Sequence, residues 1–265
     1  MIKYYNKNYI NRRIKNKMMN LCLDKDLAVL KKAVYKVENG IKSKVLRDIV
    51  LEYPLNLYIN GNIINTFLCT QGNLKELVIG YAKSKGFIQS LDDIKSLEID
   101  EKNNIARLYV CENSFNESDN NTYKYLNSKI NLSYKEIHYM MEKNLIYSKT
   151  FKNTGKMHSV SIFDKGNEII TCDDIKRHNA MDKAIGFCVI NNISLKDKAV
   201  ALSGYSCLEI ILKAKLNQIP IVISKLAPTN LSIELAEKSN ITLVGFVRDD
   251  SMHIYTHPHR IEDIS

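Results

Sequence analysis

The sequence predicts an α/β fold in two parts: a larger α/β domain at residues 150–265 and a smaller α+β domain, rich in hairpins, at residues 26–145. In the larger part, apolar runs of strand length alternate with helical periodicity, which is typical of a largely parallel sheet. In the smaller part, turn residues between paired apolar runs indicate two hairpins. Residues 1–25 form a separate basic arm, because they hold +6 of the net charge of +9.

The smaller domain is predicted element by element from its turn residues and its helical spacing. We expect residues 26–39 to form a short helix that Gly40 ends. The turns Asn60–Asn62 and Lys102–Asn104 predict two hairpins, and a helix at 74–83 is expected between them.

The larger domain begins with a predicted hairpin at 159–171 and then alternates. The strands predicted after it are 199–202, 219–223, 241–246 and 253–256. Ser206 and Glu209 have capping-box spacing, which predicts that a helix begins directly after Ser206. Because parallel strands end at one edge of a sheet, the loops that follow them are expected to form a ligand site there.

The connection Cys172–Lys183 carries the densest chemistry of the chain, with three acids, three bases and a histidine. Further polar sets follow predicted strands at 203–206, 224–230 and 247–251. We therefore predict that one cleft is lined by Arg177, His178, Lys183, Ser203 and Gly204.

At 265 residues, with 45% hydrophobic and 25% charged residues, the chain is long enough to bury a core. Its apolar runs fall short of the roughly 20 residues that span a membrane, and its start lacks the apolar core of a secretory signal. Six cysteines without regular spacing are typical of free thiols in a reducing compartment. We therefore expect a cytoplasmic protein with no membrane partner. A nucleic-acid binder that works through the basic arm is the weaker alternative, because its tyrosines make a poor stacking platform.

Several phrases of this sequence together resemble the FdhD family, the formate dehydrogenase accessory sulfurtransferases. The phrases are His158–Val160, Asp173–Lys183, Ala227–Thr229, Glu234–Ala236, Ile241–Arg248 and Tyr255–Pro258, with Glu52–Gly61 from the smaller domain. The resemblance covers about residues 50–260.

This resemblance implies a function, a fold and a set of partners. Members of the family take sulfur as a persulfide from a cysteine desulfurase. They pass it to the molybdenum cofactor, Mo-bis(molybdopterin guanine dinucleotide), before the cofactor enters formate dehydrogenase. The resemblance also implies a three-layer α/β domain of the cytidine-deaminase type and a homodimer. The cofactor-binding segment of the family matches Phe246, Val247, Arg248, Asp249, Asp250 and Ser251 here.

The chemistry of this segment suits an anionic ligand that carries guanine. Arg248 can grip a phosphate with two donors, and Asp249 or Asp250 can accept hydrogen bonds from a guanine amino group. Alternatively, Arg248 and Asp249 form an ordinary exposed pair, and His178 is a structural histidine. No zinc is expected, because the sequence lacks the His-x-Glu and Pro-Cys-x-x-Cys elements of a zinc deaminase.

The Cys-x-x-Cys motif that carries the persulfide in this family has no counterpart in the sequence. Residues 112–131, which occupy its place, contain no cysteine, so no catalytic residue is carried over. Cys207 is the predicted substitute, because a thiol at the start of the helix after Ser206 should ionise near neutral pH. Cys111 is the second candidate, although the neighbouring Glu112 opposes a thiolate. Alternatively, Cys207 is a small residue chosen for packing.

The resemblance thus implies a sulfur carrier for the molybdenum cofactor of formate dehydrogenase. The alternative is a degenerate family member that binds the cofactor or a guanine nucleotide without transferring sulfur.

Overall fold

The computed structural model describes residues 29–111, 125–150 and 157–263. The basic arm with Cys22, and most of the polar stretch at 112–131, lie outside the described residues. The sequence predictions for those segments therefore stay predictions.

The described part of the chain contains both strands and helices throughout its length. The strands are β1 (Val29–Glu38), β2 (Ile41–Val50), β3 (Tyr53–Ile59), β4 (Asn62–Cys69), β5 (Ile94–Asp100), β6 (Ile105–Val110), β7 (Leu132–Ser133), β8 (His158–Asp164), β9 (Asn167–Asp174), β10 (Ala199–Leu202), β11 (Ile221–Ser224), β12 (Thr242–Arg248), β13 (Ser251–Thr256) and β14 (Ile261–Glu262). The helices are α1 (Leu74–Ser84), α2 (Tyr134–Thr150), α3 (Arg177–Ile190), α4 (Leu208–Leu216) and α5 (Asn230–Ser239). Among the described residues, no helix has the length and apolar character needed to cross a membrane.

β1 and β2 form an antiparallel hairpin in continuous register. The helix predicted at 26–39 is therefore wrong over its described part. Asn39 and Gly40 have φ angles of 51° and 79°, the paired left-handed conformation of a tight hairpin turn. The Asn-Gly pair decided the local structure, because the apolar residues before it fit an extended strand as well as a helix.

The first sheet has the strand order β4-β3-β6-β5 and packs against α1. β3 with β4, and β5 with β6, are antiparallel pairs, which confirms the two predicted hairpins. The helix predicted at 74–83 is confirmed as α1. Leu57, Leu77 and Leu108 lie at the centre of this core and are fully buried.

The second sheet has the strand order β13-β12-β11-β10-β8-β9. β10, β11 and β12 are parallel to one another, whereas β8, β9 and β13 join by antiparallel pairing. The predicted parallel arrangement therefore holds for the three central strands.

Helices cover the second sheet on both faces, which gives three layers. On one face α3, α4 and α5 bury Ile185, Ile211 and Ala236 in a common core with sheet residues such as Val200. On the other face α2 contributes Ile137, Met140 and Met141. Residues 134–145, which the sequence-based division assigned to the smaller domain, thus pack with the larger one.

The two sheets are joined where α1 crosses α3 at a pair of glycines. A Cβ at Gly80 would lie 1.8 Å from the carbonyl oxygen of Asp182, and one at Gly186 would lie 1.9 Å from that of Glu76. Only glycine permits this contact of backbone with backbone. The crossing fixes α3 against the smaller domain and so fixes the residues at its start.

Candidate functional site

The ends of five strands meet at one edge of the second sheet. Because β10, β11 and β12 are parallel, the loops that follow them leave from the same side. β8 is antiparallel to β10 and begins at this edge, and β9 is antiparallel to β8 and ends there. The predicted grouping of loops is confirmed, and the start of α3 lies beside them.

Asp174, the last residue of β9, fixes the start of α3. Its Oδ1 atom accepts hydrogen bonds from the amide of Lys176 at 3.0 Å and from Nδ2 of Asn179 at 3.0 Å. The Asp174 side chain is fully buried, and its bonds satisfy polar groups at the helix start. Arg177 and His178 are thereby held at the edge of the sheet.

Lys183 does not line the cleft, which corrects the sequence prediction. Its side chain is 1% exposed, and its Nζ lies 2.7 Å from Oδ2 of Asp174. The same ammonium donates hydrogen bonds to the backbone oxygen of Thr70 at 3.1 Å and to its Oγ1 at 2.7 Å. Five residues along a helix rotate a side chain by about 140°, so Lys183 and His178 face different sides of α3. Lys183 thus links the two sheets through a buried ion pair and buried hydrogen bonds.

The other predicted cleft residues come together where α3 begins and β10 ends. The guanidinium carbon of Arg177 lies 3.6 Å from the ring centroid of Tyr205. A Cβ at Gly204 would lie 3.3 Å from Nδ1 of His158, so the His158 ring packs closely against the backbone of Gly204. The hydroxyl of Ser203 accepts a hydrogen bond from a β8 amide at 2.9 Å. Burial and the charge of Arg177 lower the pKa of His158, which favours its neutral form.

Cys207 is the N-cap residue of α4, one position away from the helical position that the sequence predicted. Its φ and ψ angles are −102° and 171°, and the helix begins at Leu208. Ser206 does not cap the helix, because its buried Oγ accepts no hydrogen bond from the first turn. The Ser206 carbonyl accepts hydrogen bonds from the amide of Thr229 at 3.1 Å and the hydroxyl of Ser232 at 3.0 Å. These bonds draw Ser206 inward and leave Cys207, which is half-buried, at the helix start.

His178 lies between Cys207 and Glu209. The Sγ atom of Cys207 is 3.9 Å from Nε2 of His178, within reach of a sulfur hydrogen bond. Oε2 of Glu209 is 3.5 Å from Nδ1 on the other side of the same ring. This second distance is long for a hydrogen bond, so Glu209 acts on the imidazole as a nearby negative charge. A nucleophile, a base and a carboxylate follow one another in the order of a catalytic triad, with the carboxylate at ion-pair rather than hydrogen-bond distance.

The pKa of the Cys207 thiol is lowered to about 6 by its surroundings. Burial alone would raise it, but His178, the Ile210 backbone amide and the Arg177 side chain together outweigh burial by stabilising the thiolate. A thiol with this pKa is about 90% ionised at pH 7, whereas an ordinary cysteine is only a few per cent ionised. The arrangement therefore makes a nucleophilic thiolate at neutral pH.

Buried contacts between α3 and α4 hold this arrangement in place. Nζ of Lys213, on α4, donates a hydrogen bond to the backbone oxygen of His178 at 3.3 Å. The same ammonium forms a buried ion pair with Asp182 on α3. Lys85 lies beyond the carboxylate, with Nζ 3.6 Å from Oε1 of Glu209. The position of the imidazole relative to α4 is thus set by the protein interior.

Three of the other described cysteines are buried, and burial keeps them from forming a comparable thiolate. Cys69, Cys172 and Cys188 are buried. Burial raises the pKa of Cys69 and of Cys188 to about 12, and it raises that of Cys172 as well. Cys111 is partly exposed and follows the end of β6. Their burial makes Cys69 and Cys188 structural cysteines.

The predicted cofactor segment, Phe246–Ser251, covers the end of β12, a turn and the start of β13. The register of β12 against β13 shifts between Gly245 and Arg248, which is a β-bulge. Phe246 has a φ of 53°, a conformation that bulky residues rarely adopt. Its ring centroid lies 5.2 Å from that of His253, and the Arg248 guanidinium carbon lies 5.7 Å from it. Backbone strain of this kind is concentrated at functional sites.

One member of the predicted segment cannot bind a ligand through its side chain. Val247 is 2% exposed and belongs to the core between the sheet and α2, so it can offer only its backbone. Arg248, Asp249, Asp250 and Ser251 are exposed. The segment lies two strands away from β10, which corresponds to about 10 Å across the sheet.

Three residues of the cluster were missed from the sequence as site residues: His158, Tyr205 and Glu209. Glu209 was interpreted only as a capping residue, although it stands two positions after Cys207 and shares the first turn of α4. His158 stands at the start of β8, and only the topology of the sheet brings it to this edge.

The cluster has the geometry of a proton relay rather than that of a metal centre. The thiol and the carboxylate approach opposite nitrogens of one imidazole, so they cannot chelate a single ion together with it. Within residues 29–111, 125–150 and 157–263, no group of three or more histidine, cysteine or carboxylate side chains is arranged to hold a metal ion.

Fold and site together define a class of protein: a mixed α/β protein that presents an activated thiol at the sheet edge where the strand-end loops gather. The FdhD/NarQ family model matches residues 50–129 and 110–262. The sulfur carrier protein FdhD of Bacillus subtilis (strain 168) is 36% identical over 254 residues, which cover 87% of this chain and 96% of that protein. The same-named protein of Staphylococcus aureus (strain MRSA252) is 33% identical over 263 residues, covering 91% and 99%. This chain belongs to the FdhD/NarQ family.

A solved structure supports the fold. The crystal structure of a protein assigned as a formate dehydrogenase accessory protein, from Desulfotalea psychrophila, has a TM-score of 0.77 to this chain. The two sequences are 22% identical, and the match covers 88% of this chain and 99% of the other. At this identity the likeness concerns the fold alone.

Proposed function

We propose that this protein is a sulfur carrier of the FdhD type that supports formate dehydrogenase. It takes sulfur as a persulfide and delivers it to the molybdenum cofactor that the dehydrogenase requires. Membership of the FdhD/NarQ family supports this proposal, as do the relatives named sulfur carrier protein FdhD.

The observation that carries the proposal is the pairing of two features at one sheet edge. A thiol with a lowered pKa, Cys207, follows β10. The strained segment Phe246–Ser251 begins in β12, which lies two strands from β10 in the same sheet. A sulfur carrier needs both a nucleophilic thiol and a place to hold the acceptor, and the strands that lead to these two features, β10 and β12, lie about 10 Å apart.

The proposed client is Mo-bis(molybdopterin guanine dinucleotide), bound as substrate at Phe246–Ser251. The exposed Arg248 guanidinium suits a phosphate, since its planar fork can donate two hydrogen bonds. The Phe246 and His253 rings, 5.2 Å apart, offer a surface for the guanine base. Asp249 and Asp250 are exposed in the turn and can accept hydrogen bonds from the base edge.

A cysteine desulfurase is the proposed sulfur donor, and the proposal extends to a homodimer in the cytoplasm. The likeness of the larger domain to cytidine deaminases also belongs to this proposal. Its three layers, with helices on both faces of a six-stranded mixed sheet, are compatible with that likeness.

A second candidate function is a cofactor binder that does not transfer sulfur. The sequence of residues 112–131 favours it, because the stretch that should hold the Cys-x-x-Cys motif of the family has no cysteine. The two functions share the cofactor site, and they differ in whether any cysteine of the chain accepts sulfur.

The test uses the full chain in bacteria that lack their own FdhD protein. We expect it to restore formate dehydrogenase activity, and we expect the purified protein to release thiocyanate on cyanide treatment after incubation with a cysteine desulfurase and free cysteine. Binding of guanine nucleotide without any sulfane sulfur or restored activity would favour the cofactor binder. If the protein shows neither nucleotide binding nor sulfur uptake, both functions are overturned.

A further inference from the structure

We infer that Cys207, His178 and Glu209 form the persulfide site of this protein, in which Cys207 bears the sulfur and His178 moves the proton. The inference rests on the proposed sulfur-carrier function and assigns its chemistry to a Cys-His-Glu cluster. The donor it fits is a thiol persulfide, such as the one formed on a cysteine desulfurase.

Cys207 combines accessibility with ionisation. Cys207 is half-buried at a helix start, so a donor can approach its sulfur while the protein still shapes its surroundings. Cys69, Cys172 and Cys188 are buried and cannot meet a donor without unfolding. An attacking thiol works best when it is ionised near the ambient pH.

The imidazole of His178 is placed to exchange a proton with the thiol. Nε2 of His178 lies 3.9 Å from the Cys207 sulfur, and Nδ1 faces the Glu209 carboxylate at 3.5 Å. The carboxylate faces the ring from the side opposite the sulfur, so Nε2 is the nitrogen placed to take the proton of the thiol. Lys213 anchors the backbone of His178 from inside the protein, which keeps the ring in place during the reaction.

The loading step balances without an external oxidant or reductant. His178 takes the proton of the Cys207 thiol, and the thiolate attacks the outer sulfur of the donor persulfide. A new S–S bond forms to Cys207 while the S–S bond of the donor breaks. The donor sulfur leaves with the bonding electron pair and receives the proton from His178. The products are the Cys207 persulfide and the free donor thiol.

The same surroundings favour release of the sulfur. When an acceptor nucleophile attacks the outer sulfur, Cys207 must leave as a thiolate. Thiols of low pKa leave faster in such exchanges. The groups that stabilise the Cys207 thiolate, namely His178 and Arg177 on α3 and the Ile210 amide on α4, therefore assist both halves of the transfer.

Glu209 is a positioning residue in this site. It touches the imidazole rather than the sulfur, and its own pKa is lowered, since the charges of His178, Lys213 and Lys85 outweigh the effect of burial. It is thus ionised across the pH range in which Cys207 titrates. The groups that face the thiol and the ring are Arg177 and His178 from α3, Glu209 from α4, Lys85 from the end of α1 and His158 from β8.

The site is tested by incubating the full-length protein with glutathione persulfide, blocking thiols with iodoacetamide and locating the added sulfur by peptide mass spectrometry. We expect the sulfur on the peptide that holds Cys207. It should disappear in Cys207→Ser and remain in the matched control Cys111→Ser. Sulfur on another cysteine, with none on Cys207, would overturn the site while leaving the proposed function intact. No sulfur on any cysteine, from this donor or from a desulfurase, would count against the proposed function itself.

The relay is tested with His178→Gln and Glu209→Gln, after circular dichroism has established that both variants are folded. We expect His178→Gln to load at least tenfold more slowly at pH 7, the modest end of what general acid–base groups contribute. Its pH profile should shift upward, because the His178 contacts that stabilise the thiolate are lost. Glu209→Gln keeps the imidazole and should slow loading by less. A donor with an acidic aromatic leaving thiol needs no proton, so it should restore much of the lost rate. Unchanged rates and profiles in His178→Gln would remove His178 from the mechanism.

Discussion

Replacing Lys183 with methionine tests whether its buried ion pair links the two sheets and stabilises the fold. The substitution keeps most of the side-chain stem but removes the ammonium that lies 2.7 Å from Asp174. Breaking a buried ion pair by removing one partner typically costs about 3–5 kcal/mol. Asp174 keeps hydrogen bonds from the Thr70 amide at 3.0 Å and from Asn179 at 3.0 Å, so we expect a value near the lower end.

The assay is thermal unfolding followed by circular dichroism. For a protein of this size, 1 kcal/mol corresponds to roughly 2–4 °C in melting temperature, so Lys183→Met should lower it by about 6–12 °C. Lys176→Met is the matched control, because Lys176 is exposed and belongs to the same connection. The control should change stability by less than about 0.5 kcal/mol. If the two variants melt at the same temperature and only Lys183→Met loses nucleotide binding, Lys183 is a cleft residue rather than a structural one.

Two further substitutions probe the edge of the sheet. Asp173 is 5% exposed, and burial raises its pKa to about 7, above that of a carboxyl in the unfolded chain. Ionisation of this buried carboxyl therefore destabilises the folded protein increasingly as the pH rises from about 4 to 7. Asp173→Asn removes that cost, so its gain in melting temperature should be absent at about pH 4 and complete above about pH 7. A gain that is independent of pH would contradict this reasoning. Arg248→Ala should weaken binding of a guanine nucleotide by about 1.5–3 kcal/mol in calorimetry, the scale of a charged hydrogen bond, while the exposed, charge-matched Lys238→Ala should not. Unchanged affinity in Arg248→Ala would remove that residue from the proposed site.

The sequence predicted the parts of the fold that local rules control. The hairpin turn at Asn60 and Gly61 has the two left-handed residues that its composition required. The alternation after residue 150 predicted the parallel strands β10, β11 and β12, and with them the shared edge. The same rule applied to Asn39 and Gly40 would have predicted the first hairpin, where helical spacing was preferred instead.

The contacts that build the site could not be predicted from local rules. His178 and Cys207 are 29 residues apart and start different helices, and their contact depends on how α3 and α4 pack. Lys183 looked like a cleft residue because of its neighbours in sequence, yet its rotation on α3 turns it toward Thr70. The position of Cys207 was off by one residue, because Ser206 satisfies its carbonyl through the neighbouring helix α5 rather than capping α4.

Alkylation of Cys207 across a pH series tests whether this thiol is the activated nucleophile of the protein. The full-length protein is treated with iodoacetamide at each pH, and the rate at Cys207 is read by peptide mass spectrometry. The structure predicts a midpoint near pH 6, the pKa to which His178, Ile210 and Arg177 lower the thiol against the effect of burial. In His178→Gln the midpoint should move upward toward the ordinary cysteine value of about 8.5. A midpoint near 8.5 in the unmodified protein, or a Cys207 that does not react at all, would contradict the account.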